Sequence, residues 1–229
     1  MDAPVVYEDR ELVAVAKPAG MPVIPGRVAD GPRALRQILE AARGEPLWVV
    51  HRIDQDTSGV VVFARSAAAH RHLCAAFEHR TVDKRYLAFA FADLPGERVV
   101  ELALHEARRG KSRPAAPDEP GGKPARTELR ALARWRWPTG AVTLLEAHPI
   151  TGRHHQIRVH LRALEAPIVG DPLYGKRTLR GAFVDAPPLR LALHAARLQL
   201  PGRPPIEAPL PPDLIALRGW LDGHAEVQA

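Results

Sequence analysis

Cysteine is nearly absent from this sequence, because Cys74 is the single one among 229 residues. One thiol cannot form an intrachain disulfide, and Cys74 lacks the companion cysteines that a thiolate metal site needs. Disulfide scaffolds and cysteine-based zinc modules are therefore excluded, and we expect a reducing cytoplasm as the compartment. We interpret Cys74 itself as an inert, small apolar residue on a helix.

Long hydrophobic runs are missing as well. No stretch reaches the roughly 20 apolar residues of a membrane-spanning helix. The N-terminus MDAPVVYEDRELVAVAKPAG is acidic early and lacks the apolar run of a signal peptide. We therefore expect a protein inside the cell with no membrane association.

The charge balance and the apolar content are ordinary. Hydrophobic residues make up 46% of the chain, enough for a sizeable core, so wholesale disorder is excluded. Lysine and arginine number 32 against 26 acidic residues, a net charge of +6. This excess favours a polyanionic partner without establishing one.

Strand and helix patterns are interspersed along the chain without a regular β-α rhythm, and no repeat or clear linker interrupts them. This arrangement predicts a single α+β domain over residues 1–229, with a mixed, mostly antiparallel central sheet flanked by helices and loops. The predicted strands are 5–7, 12–16, 48–50, 59–64, 84–91, 129–137, 141–147 and 191–200. The predicted helices are 34–43 ending at Gly44, 67–78, 153–164 and 214–221.

One segment, residues 107–125 (ARRGKSRPAAPDEPGGKPA), is rich in proline, glycine and basic residues. This composition is typical of a solvated loop or of the tip of a long hairpin. A basic loop that touches RNA is compatible with either structure.

Three polar clusters are candidates for chemistry. The first, HRIDQDTSG (residues 51–59), lies directly before an apolar strand, so that a turn there would hold Asp54 at the mouth of the strand. A lone aspartate in such a loop is more often a turn-former than a catalyst. The second cluster is Lys84-Arg85-Tyr86 at a strand start. A functional tyrosine there would stack on a planar base or exchange a proton, whereas a structural one would be a half-buried strand residue.

The third cluster is TGRHHQIRVHL, residues 151–161. We predict a helix capped by Thr151, with Ile157 facing the core and with His154 and Arg158 sharing another face. An arginine there could hold a carboxylate with two hydrogen bonds or belong to a plain polar face. The histidines lack the spacing of a zinc motif, so we expect no metal.

These clusters, together with KPAG at Lys17, KRYLA at Lys84, GDPLYG at residues 170–175 and LHAARLQL at Leu193, resemble the RluA family of RNA pseudouridine synthases. The motifs occur in the family's order over nearly the whole chain, although HRLD appears here as HRID. The accessory N-terminal RNA-binding domain of many relatives looks absent. The resemblance implies the pseudouridine synthase fold, with a central active-site cleft.

The resemblance also implies isomerisation of uridine to pseudouridine in structured RNA, ribosomal or transfer, without cofactor or metal. Asp54 would attack carbon 1′ of the ribose or remove the 2′ proton. Tyr86 would lie against the uracil and take the carbon-5 proton, and Arg158 would pair with Asp54. Arg52 would fill the gap left in the RNA stack. We expect further RNA contacts from Thr57, Lys84, Arg153, His155, Gln156 and Ile157. We expect a monomer with no obligate protein partner.

Two other functions, one catalytic and one not, are alternatives to this interpretation. A hydrolase could use Asp54 and Asp56 as an acid/base pair on the glycosidic bond, but it would release free uracil. A non-catalytic RNA-binding protein would be expected to have lost the aspartate or the tyrosine, and both are present.

The remaining landmarks have structural interpretations. Asp171 is predicted to be a cap or turn acceptor rather than a second catalyst, and His194 a satisfied core histidine. Trp135 and Trp137 alternate on one strand and are predicted to bracket a face of the sheet.

Overall fold

The computed structural model describes residues 3–26, 33–107, 110–116, 119–138, 140–175, 186–187 and 189–228. The strands are β1 (Val5–Glu8), β2 (Leu12–Lys17), β3 (Trp48–Val49), β4 (Ser58–Ala64), β5 (Asp83–Ala90), β6 (Glu97–Glu101), β7 (Leu104–Ala107), β8 (Lys111–Pro114), β9 (Arg126–Trp137), β10 (Gly140–Pro149), β11 (Leu193–Gln199), β12 (Ile206–Glu207) and β13 (Glu226–Gln228). The helices are α1 (Leu35–Arg43), α2 (Ala67–Glu78), α3 (Gln156–Ala163) and α4 (Pro212–His224). In the part of the chain that the structure describes, no helix is long and apolar enough to cross a membrane.

The chain divides into two compact units. The first unit contains Met1–Lys84 and His194–Pro211, and the second unit contains Arg85–Leu193 and Pro212–Ala229. The prediction of one domain over residues 1–229 stays a prediction. The predicted α+β class with mixed, mostly antiparallel strands is confirmed.

The first unit contains a sheet in the order β1-β2-β4-β11, with β3 also paired to β4 and β12 to β11. Strands β4 and β11 run parallel, whereas β2 and β3 run antiparallel to β4. All seven residues of β4 are buried, as expected of the β-branched run GVVVFA. Its core joins apolar side chains from β2, β4, α2 and the last strands: Leu12, Ala14, Val60, Val62, Ala64, Ala69, Leu73, Val82, Leu198, Leu200, Ile206 and Ala208.

The helices of the first unit end where their sequence signals predict. Gly44 adopts the left-handed conformation (φ 67°) after α1, and its N–H donates to the carbonyl of Glu40. Helix α2 begins after Ser66, whose hydroxyl accepts from the N–H of Ala69 at 3.1 Å. These local caps explain why both helices could be placed from sequence.

The second unit contains a sheet in the order β5-β10-β9-β13, with β6 also paired to β9, and all of these pairings are antiparallel. Trp135 is fully buried, stacks on Phe89 and donates its indole N–H to Asp222 at 2.8 Å. Trp137 is half-buried and meets Phe91 edge to face. The predicted packing of both tryptophans against a sheet is thus confirmed. Thr139, between the predicted strands 129–137 and 141–147, lies outside the described residues.

Strands β7 and β8 form a separate antiparallel hairpin in the second unit. Its residues pair from Leu104 with Pro114 to Ala107 with Lys111. A solvated loop and the tip of a long hairpin were both expected for residues 107–125. The described part of that segment holds the last residue of β7, the whole of β8 and an irregular stretch after it, so the hairpin is short and a loop follows it. Residues 108, 109, 117 and 118 lie outside the described residues.

Candidate functional site

Asp54 lies in the loop that connects β3 to β4 in the first unit. The N–H of Thr57 donates to the carbonyl of Asp54 at 3.1 Å, which closes the predicted turn. Thr57 and Ser58 are buried while Asp54 is half-buried, so the turn is anchored at the strand and its carboxylate stays near the surface. This placement suits a carboxylate that must be both rigid and reachable.

The strand end next to this turn is fixed by a buried histidine. The Ser58 hydroxyl lies 2.9 Å from Nδ1 of His194, and Nε2 of His194 lies 3.1 Å from the carbonyl of Ala208. A carbonyl only accepts, so Nε2 carries the proton and Nδ1 accepts from Ser58. His194 is thereby confirmed as a satisfied core histidine.

Lys17 holds the backbone of the same loop through its side-chain ammonium. Its side chain is buried, and its Nζ donates at 2.8 Å to each of the carbonyls of Pro18, Met21 and Gln55. Gln55 directly follows Asp54, so this ammonium holds the backbone beside the candidate carboxylate. Lys17 belongs to the KPAG motif, but no pattern in the sequence indicated this role.

Gly59 brings strand β11 close to the Asp54 loop. Its φ is +121°, and a Cβ there would lie 2.2 Å from the carbonyl oxygen of Ala195, its partner in the parallel pairing. Glycine is required at this position because a neighbouring backbone approaches closely.

The charged neighbours of the loop have distinct environments. Nε2 of His51 accepts from the N–H of Val62 at 3.0 Å, and the ring stacks on Phe77 with centroids 4.6 Å apart. Burial, assisted by the positive charge of Lys84, lowers the pKa of His51 to about 3, so this ring is neutral. Burial, together with the charge of Arg80, also lowers the pKa of Lys84, although Asp83 opposes the shift. The candidate RNA-contacting residue Arg52 is exposed.

In the second unit, Tyr86 lies near the start of β5, opposite Ala147 of β10, and is half-buried. The ladder fixes the direction of its side chain, and the stacking of its ring on a planar base stays a prediction. Arg85, the preceding residue, points to the other face of the strand and lies 3.8 Å from Glu146.

Helix α3 begins later than predicted, at Gln156 rather than Arg153. His155 occupies the N-cap position in the left-handed conformation (φ 55°), and no side chain caps the helix. The predicted cap by Thr151 is wrong, because its hydroxyl donates to Oε1 of Gln156 at 2.6 Å. The predicted face shared by His154 and Arg158 is also wrong, since His154 precedes the helix.

Gln156 is buried and all of its amide contacts are inside the protein. Besides Thr151, its Oε1 accepts from the N–H of Arg153 at 3.0 Å. Its Nε2 donates at 2.9 Å to the carbonyl of Arg126 and to the hydroxyl of Thr127. The side chain thus ties the loop before α3 to strand β9, while the next residue of the helix, Ile157, is buried as predicted.

Arg158 is buried and forms an ion pair that the sequence analysis missed. Its Nε and Nη2 donate to the two carboxylate oxygens of Asp171 at 2.8 and 2.9 Å. Oδ1 of Asp171 also accepts from the N–H groups of Leu173 and Tyr174, which confirms the predicted turn acceptor. The guanidinium carbon lies 5.1 Å from the centre of the Tyr174 ring. The pairing of Arg158 with Asp54 stays a prediction.

Comparison with known proteins gives a consistent result. The family model described as RNA pseudouridylate synthase matches residues 11–163. The chain is 36% identical to ribosomal large subunit pseudouridine synthase D of Nitrosomonas europaea, over 93% of this chain and 63% of that protein. It is 37% identical to ribosomal large subunit pseudouridine synthase C of Vibrio cholerae, over 85% and 60%. It is 36% identical to tRNA pseudouridine synthase C of Salmonella typhimurium, over 86% and 79%.

Solved structures show the same likeness. The domains named human RNA pseudouridylate synthase domain containing 1 and 4 both align with a TM-score of 0.77 and 26% identity. The alignments cover 93% and 98% of this chain, and 86% and 94% of theirs. The chain spans only 63% and 60% of the length of the Nitrosomonas and Vibrio relatives.

Proposed function

Because the chain belongs to the RNA pseudouridylate synthase family, we propose that it isomerises specific uridines in structured RNA to pseudouridine. The observation that carries this proposal is the anchored turn that presents Asp54, within motifs matched over most of the chain. The relatives are named for ribosomal large-subunit RNA and for transfer RNA, and these two kinds of RNA are the proposed substrates.

The reaction exchanges one bond for another. The bond from uracil N1 to ribose carbon 1′ breaks, a bond from carbon 5 to carbon 1′ forms, the carbon-5 proton leaves and N1 gains a proton. No atom or electron is supplied from outside, so no redox cofactor is required. Asp54 acts on the ribose, at carbon 1′ or at the 2′ proton, and Tyr86 acts on the uracil and takes the carbon-5 proton.

RNA binding must offset the cost of extracting a uridine from a stem, which is a few kcal/mol. The net charge of +6 supports contacts with phosphates, which weaken as salt concentration rises. Among the candidate contact residues, Arg52 is exposed, and Lys84, Arg153 and His155 are half-buried, so we assign these four to RNA. The other three, Thr57, Gln156 and Ile157, are buried, and we assign them to holding the loops in place.

The test compares Asp54→Ala with Asp56→Ala, a matched control that removes a half-buried carboxylate from the same loop. We expect Asp54→Ala to bind RNA with near wild-type affinity and to form no pseudouridine, while Asp56→Ala retains turnover. Retained turnover in Asp54→Ala contradicts the assignment of Asp54. Release of free uracil by the wild-type protein, with loss in both variants, supports the glycosidic hydrolase instead.

Two further measurements complete the test. Pseudouridine maps of cellular RNA with and without the protein identify the modified position, and unchanged maps contradict the proposed activity. Treatment with EDTA is expected to leave turnover unchanged, because the proposed chemistry needs no metal. Loss of turnover with EDTA and its recovery with zinc contradicts that part of the proposal.

A further inference from the structure

A cluster in the second unit joins the β7–β8 hairpin to the loop before α3. Tyr174, in the turn after Asp171, is half-buried, and its hydroxyl oxygen lies at the centre of the cluster. The N–H of Ser112 donates to that oxygen at 2.8 Å, and the hydroxyl lies 3.0 Å from the Ser112 carbonyl. The oxygen also lies 2.9 Å from Nδ1 of His155.

The proton positions in this cluster follow from the chemistry of its partners. A backbone carbonyl can only accept, so the single proton of the Tyr174 hydroxyl is directed at Ser112. The hydroxyl oxygen then faces Nδ1 of His155 with a lone pair. Nδ1 must therefore carry a proton and donate it to Tyr174. The opposite arrangement would leave two oxygens 3.0 Å apart with no proton between them.

The backbone of His155 shows that its orientation is imposed. Its φ of 55° lies in the left-handed region, which non-glycine residues rarely adopt. The ring stacks on His154 with centroids 3.7 Å apart, and Nδ1 of His154 lies 3.0 Å from the Ser112 hydroxyl. The stacked ring of His154 and the Tyr174 hydroxyl thus fix the position of the His155 imidazole. Because the Ser112 carbonyl takes the proton of that hydroxyl, it also fixes the protonation of His155.

Tyr174 also contacts Arg158. Its N–H donates to the carboxylate of Asp171 that holds the guanidinium, and its ring lies against the guanidinium. The same residue therefore orients two side chains: the arginine, to which the family resemblance gives a part in the reaction, and the histidine, which the proposed function assigns to RNA binding.

We propose that Tyr174 is a positioning residue that keeps the proton of His155 on Nδ1, so that His155 meets the target RNA nucleotide through Nε2 alone. The RNA contact rests on the proposed function, whereas the protonation of His155 does not. Whatever the charge of the ring, Nε2 is the nitrogen through which His155 forms a hydrogen bond with the nucleotide or exchanges a proton with it. The His155 ring is thereby restricted to the form with a protonated Nδ1 before RNA binds.

The first experiment measures the protonation directly, by nitrogen-15 NMR of the histidine rings in the RNA-free protein. The His155 signals are assigned by their loss in His155→Asn. We expect a protonated Nδ1 in the wild type and, in Tyr174→Phe, a change toward the Nε2-protonated tautomer. A bare Nδ1 in the wild type overturns the proposal whether or not the protein modifies RNA.

The second experiment separates the contact of His155 with RNA from a structural role. In His155→Asn, the amide can still donate toward Tyr174, and asparagine tolerates the left-handed conformation well. This variant should unfold at the same urea concentration as the wild type, yet form pseudouridine at least ten-fold more slowly. A wild-type rate overturns the contact through Nε2.

The third comparison concerns Tyr174 itself. Tyr174→Phe should lower kcat at least five-fold with a smaller change in KM. Tyr7→Phe is the matched control, because it removes a hydroxyl that bonds Asp9 at 3.2 Å in the first unit, and it should keep the wild-type kcat. Unchanged kcat in Tyr174→Phe overturns the positioning role. A wild-type protein that makes no pseudouridine defeats the proposed function, while the NMR result still stands.

Discussion

Arg158 and Asp171 form an ion pair with two hydrogen bonds, and almost none of either side chain reaches solvent, 3% for the arginine and 0% for the aspartate. Two backbone N–H groups also donate to the aspartate. A buried guanidinium needs a fixed negative partner, because removing its hydration costs several kcal/mol. Asp171 therefore allows α3 to carry a charged arginine in the interior, close to residues that the proposed function assigns to RNA.

Removing one charge of this pair should be strongly destabilising. Asp171→Asn preserves the shape and can still accept from the backbone, but it leaves the Arg158 charge without this partner. We expect the free energy of unfolding to fall by about 3–5 kcal/mol, measured by urea denaturation. The matched control is Asp213→Asn, which removes an exposed partner of Arg190 (2.7 Å) and should cost less than about 1 kcal/mol. Equal losses in the two variants would contradict the role of burial.

Gly59 should not tolerate a side chain. In Gly59→Ala, the Cβ would overlap the Ala195 carbonyl in a backbone conformation that alanine rarely adopts. We expect a loss of at least roughly 3 kcal/mol in the free energy of unfolding. Gly219→Ala is the control, because Gly219 lies in α4 with open space around it; there alanine should stabilise by about 0.5–1 kcal/mol. A soluble, fully stable Gly59→Ala protein would contradict the close approach of β11.

Local signals made much of the fold predictable from sequence. Helix α2 has the predicted bounds because Ser66 caps its first turn and apolar residues recur at helical spacing. Strand β6 was not predicted, because its residues ERVVE alternate too briefly and are mostly exposed. It exists because β9 offers an edge for pairing, and sequence periodicity carries no information about such an edge.

The candidate site was predictable to a smaller extent. The motif residues could be assigned by resemblance, and the turn at Asp54 by its composition. The partners that hold them could not, because Lys17 contacts Gln55 and Tyr174 contacts Ser112 across 38 and 62 residues. The late start of α3 has the same origin, since the side chain of Gln156 bonds to β9 and Thr151 rather than leaving Thr151 to cap the helix.

His160 should make the stability depend on pH. It is fully buried on α3, and within the described part of the chain neither ring nitrogen has a partner at hydrogen-bonding geometry. Burial lowers its pKa to about 4, although the carbonyl of Leu102 opposes the shift. The unfolded state takes up a proton near pH 6.5 and the folded state only near pH 4. Stability is therefore complete above pH 6.5 and falls as the pH decreases toward 4, by about 1.4 kcal/mol per unit.

The variant that tests this is His160→Leu, which removes the titrating group. Between pH 8 and pH 5, the wild type should lose roughly 2 kcal/mol more than the variant in the free energy of unfolding. The variant keeps part of the acid sensitivity, because the lowered pKa of His51 acts in the same direction. Parallel stability curves for the two proteins over this range would contradict a neutral, buried His160.

Lys17 should be needed for both stability and turnover. Lys17→Met keeps the length of the side chain but leaves the carbonyls of Pro18, Met21 and Gln55 without their shared donor. We expect the free energy of unfolding to fall by roughly 2–4 kcal/mol. Pseudouridine formation at a temperature where the variant is folded should also fall, because the backbone beside Asp54 is no longer held. The control is Gln55→Ala, which removes only an exposed side-chain bond to Gly20 and keeps the carbonyl. If Lys17→Met matched Gln55→Ala in both measurements, the buried ammonium would have no part in holding the loop.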